Sequence, residues 1–299
     1  MTNTHLGELA SLITAICWAI SPIAFEYGGK KIGSLSVNYI RLVIAFIFIC
    51  IYTFFTRGML LPLDATASNW SWLMISGLIG FVIGDLFLFQ AYVEIGARLS
   101  MLIMATVPIL SALADYMIMG ATLSLGSILG MLVTLFGIAL VILVKGNGDK
   151  KIKLSHPLKG FIYAFVGALG QAFGLIFSKL GMGSYDAFAA TQIRMIAGLI
   201  GFSIIVTYAK GWRKLFQAFR EIKAMAYITI GSFFGPFLGV SFSLLAVQYT
   251  ATGIASTIMS LSRILIIPAS IMIFHEKITK KEILGALISI AGVGILFMF

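Results

Sequence analysis

The chain has 299 residues, of which 60% are hydrophobic and only 11% charged, against roughly 25% charged in an ordinary soluble domain. With a mean hydropathy of +1.05, that composition excludes a soluble globular protein, a disordered chain and a disulfide scaffold. The net charge of +10 does not mark a nucleic-acid binder, because the basic residues sit mostly between apolar runs, where they act as topology signals.

Apolar runs fall at about 6–28, 34–56, 70–93, 98–119, 124–144, 157–179, 187–208, 224–247, 251–275 and 281–299. Each is long enough to cross a bilayer as a helix. None alternates polar and apolar residues as the strands of a membrane barrel do. The chain is therefore predicted to be an all-α integral membrane protein of ten transmembrane helices, with no room for a soluble enzymatic domain. The first run carries Trp18, Ser21 and Pro22, with Glu26 near its end. It lacks a basic leader and a clear small-residue cleavage site, so it is expected to be a retained helix rather than a signal peptide. Arg41 opens the second run, and the third holds Gly80, Gly84, Asp85, Gln90, Tyr92 and Glu94. Met101, Met104, Pro108 and Asp115 lie in the fourth. After the fifth comes a basic connection, KGNGDKKIKLSHPLK, then Gln171 in the sixth run and Arg194 in the seventh. The stretch GWRKLFQAFREIK places Trp212, Leu215, Phe216, Phe219 and Ile222 at helical spacing, with its basic residues largely elsewhere. It reads as an interfacial helix on the membrane surface or as a plain charged loop. Gly231, Gly235, Pro236 and Gly239 fall in the eighth run, and Ser256, Met259, Arg263 and Ser270 in the ninth.

Loop charges set the orientation. Sixteen Lys and Arg residues lie in loops on one side of the membrane, and only Arg57 and Lys179 on the other. The positive-inside rule then puts the basic loops in the cytoplasm and both termini outside. The chain divides into residues 1–148, a basic linker at 149–156, and residues 157–299.

The two parts repeat. At an offset of 153, NYIRLVIAFI (38–47) falls on TQIRMIAGLI (191–200), so Arg41 meets Arg194. The same offset sets Trp18 on Gln171. At an offset of 155, Gly80 and Gly84 meet Gly235 and Gly239, and SILGMLVTLFG (127–137) falls on EILGALISIAG (282–292). With five spans in each copy, the second enters the membrane from the opposite side. Inverted five-helix repeats of this kind are the usual frame of secondary transporters.

The motifs CWAISPIAFEYG, IRLVIAFI, IGDLFLFQAYVEIGARLSMLIMATVPILSAL and HEKITKKEILGALISIAGVGIL, taken in order, resemble the EamA group of the drug/metabolite transporter superfamily. The resemblance covers nearly the whole chain in both copies and implies ten helices around a central cavity. Helices 1, 3, 4, 6, 8 and 9 would line that cavity, with 5 and 10 peripheral. Two positions depart from the group's pattern. Gly120-Ala121 stands where a Gly-Glu pair is frequent, its counterpart being His275-Glu276. Arg263 stands where the second copy often repeats the proline that Pro108 supplies in the first. Members are commonly drawn with cytoplasmic termini, against the charge distribution here.

A charge in the hydrocarbon region costs about 2.5–3.5 kcal/mol even on the insertion scale, so a charged residue there is functional or paired. Arg263, near the centre of its helix with Ser256 and Ser270 on roughly the same face, is the first candidate. It binds an anionic group or holds the bundle by an ion pair. Asp85 is the natural counter-charge: it pairs with Arg263, binds an amine, or carries a coupling proton. Asp115 shares a face with Pro108, which favours cavity lining and coupling, but it lies near a helix end. Glu26, Glu94 and Glu276 read as structural. So do Arg41 and Arg194, whose repetition favours anchoring near helix ends. Trp18, Ser21 and Pro22, opposite Gln171, can clasp an organic substrate, with Tyr92 and Gln90 adding polar contacts. Met101, Met104 and Met259 give a soft wall or ordinary packing. Small glycine steps in helices 3 and 8 allow close packing, and Pro236 allows a kink. The scattered His5, His156 and His275 offer no metal site, and no P-loop is present.

The expected function is a secondary active transporter of the prokaryotic inner (plasma) membrane. It moves a small polar or amphipathic metabolite, such as an amino acid, by alternating access, in the direction of export. The alternatives are a passive facilitator or channel, a lipid-precursor flippase, and a membrane-embedded enzyme, the last weakened by the lack of a catalytic pair. The expected partners are a small-molecule substrate, a coupling proton and the bilayer, with no cofactor and no nucleic acid. One chain suffices for the cavity, with an oligomer left open.

Overall fold

The computed structural model describes residues 5–143, 158–265 and 280–298. All regular structure among them is helical. Chains of this hydropathy must satisfy every backbone group within the segment, which only a helix or a closed barrel does in lipid. Helices α1 (Leu6–Ile32) and α2 (Ser34–Arg57) are joined by the single residue Gly33. Its φ of 86° is a conformation that side chains rarely adopt. After a short loop, α3 (Ala67–Gly77) starts at a capping box: the Thr66 hydroxyl accepts from the Asn69 N–H, and Asn69 reaches back to the Thr66 N–H. A π-helical turn over Leu78–Gly84 leads into α4 (Asp85–Met104). Then come α5 (Val107–Met119), α6 (Leu125–Leu143), α7 (Leu158–Met182) and α8 (Ala187–Tyr208), the last capped by the Asp186 carboxylate. The short α9 (Trp212–Ala218) precedes α10 (Ile222–Ser232), a second π-helical turn over Phe233–Gly239, and α11 (Val240–Tyr249). Next is α12 (Thr252–Met259), and among the described residues the last helix is α13 (Lys280–Met298).

Six stretches among the described residues are long and apolar enough to cross a membrane: Leu6–Gly29, Ser34–Arg57, Ala67–Tyr92, Leu158–Met182, Ala187–Tyr208 and Ile222–Tyr249. Three shorter apolar helices, Val107–Met119, Leu125–Leu140 and Ile283–Ile295, accompany them. Large apolar side chains such as Ile16, Phe55, Leu129 and Ile204 lie exposed on the outside. A surface of this kind faces lipid, and the protein is integral to a membrane. The linker at 149–156, Ser270, His275 and Glu276 lie outside the described residues.

The first helix of each repeat packs on the third span of the other. α7 lies along α3, the first π turn and α4, while α1 lies along α10, the second π turn and α11. Glycines make both approaches possible. A Cβ on Gly170 would stand 2.6 Å from the Gly84 Cα, and one on Gly235 would stand 3.1 Å from the Ser21 Cβ. α6 and α13 pair closely with each other and sit to one side of the bundle. Their crossing is reciprocal: a Cβ on Gly137 would strike Ser289, and a Cβ on Gly292 would strike Thr134. At the offset of 155 these are the same two contacts with the repeats exchanged.

Two irregularities recur at that same offset. The π turns at Leu78–Gly84 and Phe233–Gly239 coincide. In each, the N–H of the next residue reaches back five positions, Asp85 to the Gly80 carbonyl and Val240 to the Gly235 carbonyl. The helix breaks at 105–106 and 260–261 coincide as well. The first break corrects the expected boundary. Instead of turning near 94–97, α4 runs on to Met104, and the interruption comes just ahead of Pro108. Proline explains it: Pro108 has no N–H to give the Met104 carbonyl, so the helical ladder is cut there. The GWRKLFQAFREIK segment forms only a seven-residue helix. Leu215 is buried and Trp212 packs edge-on against Tyr39, while Phe216, Phe219 and Ile222 are exposed.

Candidate functional site

The π turns and helix breaks of both repeats surround one central cavity of about 140 Å³. Six residues predicted as substrate contacts line it: Arg263, Asp85, Trp18, Gln171, Ser256 and Tyr92. They come from α1, α4, α7, α12 and the segment after the second break. Ser21, Pro22, Met104 and Met259 join them. Gln90 and Asp115 do not line it.

Arg41 and Arg194 also line this cavity, correcting the expectation that they anchor helix ends. Both are buried, at 5% and 4% exposure. Arg41 Nη2 donates to Asp85 Oδ2 at 2.5 Å, and its Nε donates to Asn38 Oδ1 at 3.1 Å. Its guanidinium lies 4.9 Å from the Phe89 ring centre and 5.6 Å from that of Phe25. Asp85 thus forms its ion pair with Arg41, 44 positions away in sequence, and not with Arg263. Arg194 lies 4.9 Å from the Phe81 ring centre, and its Nε is buried with no hydrogen-bond partner among the described residues. Asp85 is within electrostatic reach of Arg194. The sequence did carry a signal for both arginines: each interrupts an otherwise apolar run at an equivalent position.

Arg263 has a different partner. Its Nη2 donates to the Met104 carbonyl oxygen at 2.7 Å. That oxygen is the one Pro108 leaves without its helical donor. At the repeat offset, Pro108 and Arg263 are equivalent positions. One repeat therefore frees a carbonyl, and the other supplies the hydrogen bond that satisfies it. The remaining guanidinium nitrogens of Arg263, Nε and Nη1, are buried without a partner among the described residues.

Asp115 does another job. It is 2% exposed, and its Oδ2 accepts the Thr252 N–H at 2.9 Å at the start of α12. Lys179 Nζ lies 3.5 Å from the same oxygen and donates to the Thr250 carbonyl at 3.3 Å. The group ties the end of α5 to α7 and to the turn before α12, so the face shared with Pro108 leads to a helix cap and not to the cavity. On the same side, the Tyr185 hydroxyl donates to Asp64 Oδ1 at 2.8 Å and Arg57 Nη2 donates to Asp64 Oδ2 at 2.6 Å. Burial acts to raise the Asp64 pKa, but the bonds from Tyr185, its own backbone and Arg57 outweigh it and hold the carboxyl below its ordinary value. Among the described residues no cluster of His, Cys, Asp and Glu forms a metal site.

Three comparisons bear on this architecture. An uncharacterized transporter of Archaeoglobus fulgidus is 26% identical over 174 residues, which span 57% of this chain and 58% of that protein's length, less than two thirds of it. A solved crystal structure superposes with a TM-score of 0.70 over 97% of this chain and 95% of its own, at 14% identity, a likeness of fold. The EamA-like transporter family matches twice, over residues 5–143 and 158–298, once on each repeat. With nearly all of it covered by those two matches, the chain belongs to the EamA-like transporter family.

Proposed function

We propose that the protein is a secondary active transporter that carries a small polar metabolite through the central cavity by alternating access. Ten spans in two inverted repeats would form its frame. The observation that carries this reading is the placement of four irregularities. Both π turns and both helix breaks border the cavity, and each pair occupies equivalent positions of the two repeats. Discontinuous helices that meet near the midplane are how secondary transporters build substrate sites, because backbone leaves the helix only where it lines a cavity or is covered by protein. Helices that cross reciprocally at Gly137 and Gly292 fit a pseudo-two-fold relation between the halves, which an inverted repeat requires. In that frame the basic loops face the cytoplasm of a prokaryotic inner membrane and the termini face outward. Export is the direction to which the resemblance to the EamA group points. Asp85 is a candidate for coupling, since protonating it would release Arg41.

Counterflow in proteoliposomes tests the reading. The expected result is that internal solute accelerates uptake of the same labelled solute, and that Ser256→Trp, which fills the cavity, abolishes the flux. Flux without acceleration from the opposite side favours a passive facilitator instead. Movement of labelled lipid with no movement of soluble solutes favours a flippase.

A further inference from the structure

Among the described residues, the charged side chains lining the cavity are three arginines, Arg41, Arg194 and Arg263, and one acid, Asp85. That carboxylate is already engaged. It accepts from Arg41 at 2.5 Å, with side-chain exposures of 6% for Arg41 and 12% for Asp85. That leaves Arg194 and Arg263 as an excess of two positive charges on one small cavity. Neither has its hydrogen bonds filled: Arg194 Nε, and Arg263 Nε and Nη1, are buried without partners among the described residues.

A buried guanidinium without its hydrogen bonds is costly, and charges in low dielectric are paired unless a ligand pairs them. Nearby neutral groups compensate only in part. Phe81 presents its ring to Arg194, and the Met104 carbonyl takes one Arg263 nitrogen. The N-terminus of α5 begins at Val107 on the cavity wall and adds the positive end of a helix dipole. Nothing in this arrangement suits an amine. Asp85 would have to leave Arg41 to bind one, and two guanidiniums only partly compensated would repel it.

We propose that the cargo is a small organic anion, bearing a carboxylate or phosphate, whose negative charge is bound by Arg263 and Arg194 while Asp85 stays with Arg41. The inference rests on the reading of the cavity as the transport site. It keeps the anionic group expected at Arg263 and replaces the expectation that Asp85 binds an amine. Carboxylate and phosphate share the chemistry that a guanidinium recognises, a fixed fork of donors meeting two anionic oxygens.

Binding measured in nanodiscs with the full chain separates this from the question of transport. The probes are succinate, inorganic phosphate, L-alanine and putrescine, each scored by its effect on thermal unfolding and by calorimetric titration. Succinate or phosphate is expected to bind and stabilise, and which of the two binds more tightly tells the headgroup. Arg263→Gln and Arg194→Gln are each expected to weaken that binding about tenfold or more, as loss of a hydrogen bond to a charged group does. Arg263→Lys keeps the charge but not the fork and should fall between. Arg213→Gln, in α9 at the surface, should match the parent and controls for net charge. Should a glutamine variant fail to fold, Arg263→Lys and competition of phosphate against succinate on the parent still decide the matter. Stabilisation by L-alanine or putrescine equal to that by succinate overturns the proposal, as does anion binding unchanged in both glutamine variants, or no anion binding at all. The two readings fail separately. A protein that binds succinate through the arginines yet moves no solute refutes transport, whereas one that carries alanine and ignores succinate refutes the anion.

Discussion

If Arg263 holds the carbonyl that Pro108 abandons, the two residues must be energetically coupled although they lie 155 positions apart. Replacing Arg263 with Met removes the donor and leaves the Met104 oxygen, now bonded at 2.7 Å, without a partner. An unsatisfied buried carbonyl costs about 1–3 kcal/mol. Replacing Pro108 with Ala restores an N–H at the position that the ladder would use for that same oxygen. In the parent this N–H is redundant. In Arg263→Met it recovers an ordinary hydrogen bond, about 0.5–1.5 kcal/mol. Pro108→Ala should therefore be about 1 kcal/mol more favourable in the Arg263→Met background than in the parent, roughly fivefold to tenfold in the unfolding equilibrium. The other consequences of losing proline, including changes in the unfolded chain, are common to both backgrounds and cancel in the cycle. Reversible unfolding of the four proteins in mixed micelles, with denaturing detergent as titrant, measures the coupling. A coupling indistinguishable from zero, or of opposite sign, refutes the reasoning.

The other predictions concern separate parts of the bundle. Asp85→Asn strips the counter-charge from the buried Arg41 and should cost about 3–5 kcal/mol in the same unfolding assay, whereas Arg194→Met leaves that ion pair intact and should be far milder. Gly170→Ala puts a Cβ 2.6 Å from the Gly84 Cα and should destabilise by about 1–3 kcal/mol. Gly29→Ala meets nothing within 4 Å and should stabilise by about 0.5–1 kcal/mol. Asp115→Ala removes the acceptor for the Thr252 N–H and should cost about 1 kcal/mol. For Asp64, the lowered pKa means that its contribution is complete above the ordinary carboxylate range and is lost as pH falls through the folded-state value. Tyr185→Phe removes a bond that lowers this pKa, so the Asp64 carboxyl band in infrared titration should move toward ordinary pH, while an unmoved band would show that Arg57 and the backbone alone set it.

Hydropathy reads the cost of moving a segment into lipid, and on that count the sequence was informative. Six of the predicted spans coincide with helices long enough to cross a membrane, and the glycine ladders at 80, 84, 235 and 239 sit where helices of opposite repeats touch. The six expected cavity residues share one cavity because each is polar or aromatic in an apolar run, a contrast that one-dimensional reading can detect. Partnerships across helices were beyond it. Asp85 lies as plausibly opposite Arg263 as opposite Arg41 until the helices are placed. Arg41 and Arg194 each stand seven residues into a helix, a depth that counting from the helix end assigns to the interface and not to a cavity. For Asp115 the position near a helix end was the informative sign: sharing a face with Pro108 says nothing once the helix begins at Val107 and its far end accepts the Thr252 N–H at the start of α12. Face-counting also assumes a straight ladder of 3.6 residues per turn, and α3 and α4 are joined by a turn that breaks that assumption.

A π turn holds one residue more than the α-helical turn it replaces. Closing it would rotate everything that follows by about 100°, the angle subtended by one helical residue. Asp85 is the first residue after such a turn, and Phe89 and Tyr92 follow on the same helix. The register of a few backbone hydrogen bonds at Gly80 thereby fixes which side chains of α4 reach the arginines, and its counterpart at Gly235 does the same for Val240 and Ser243 on α11. The charge of the cavity wall is set by helical phase as much as by composition.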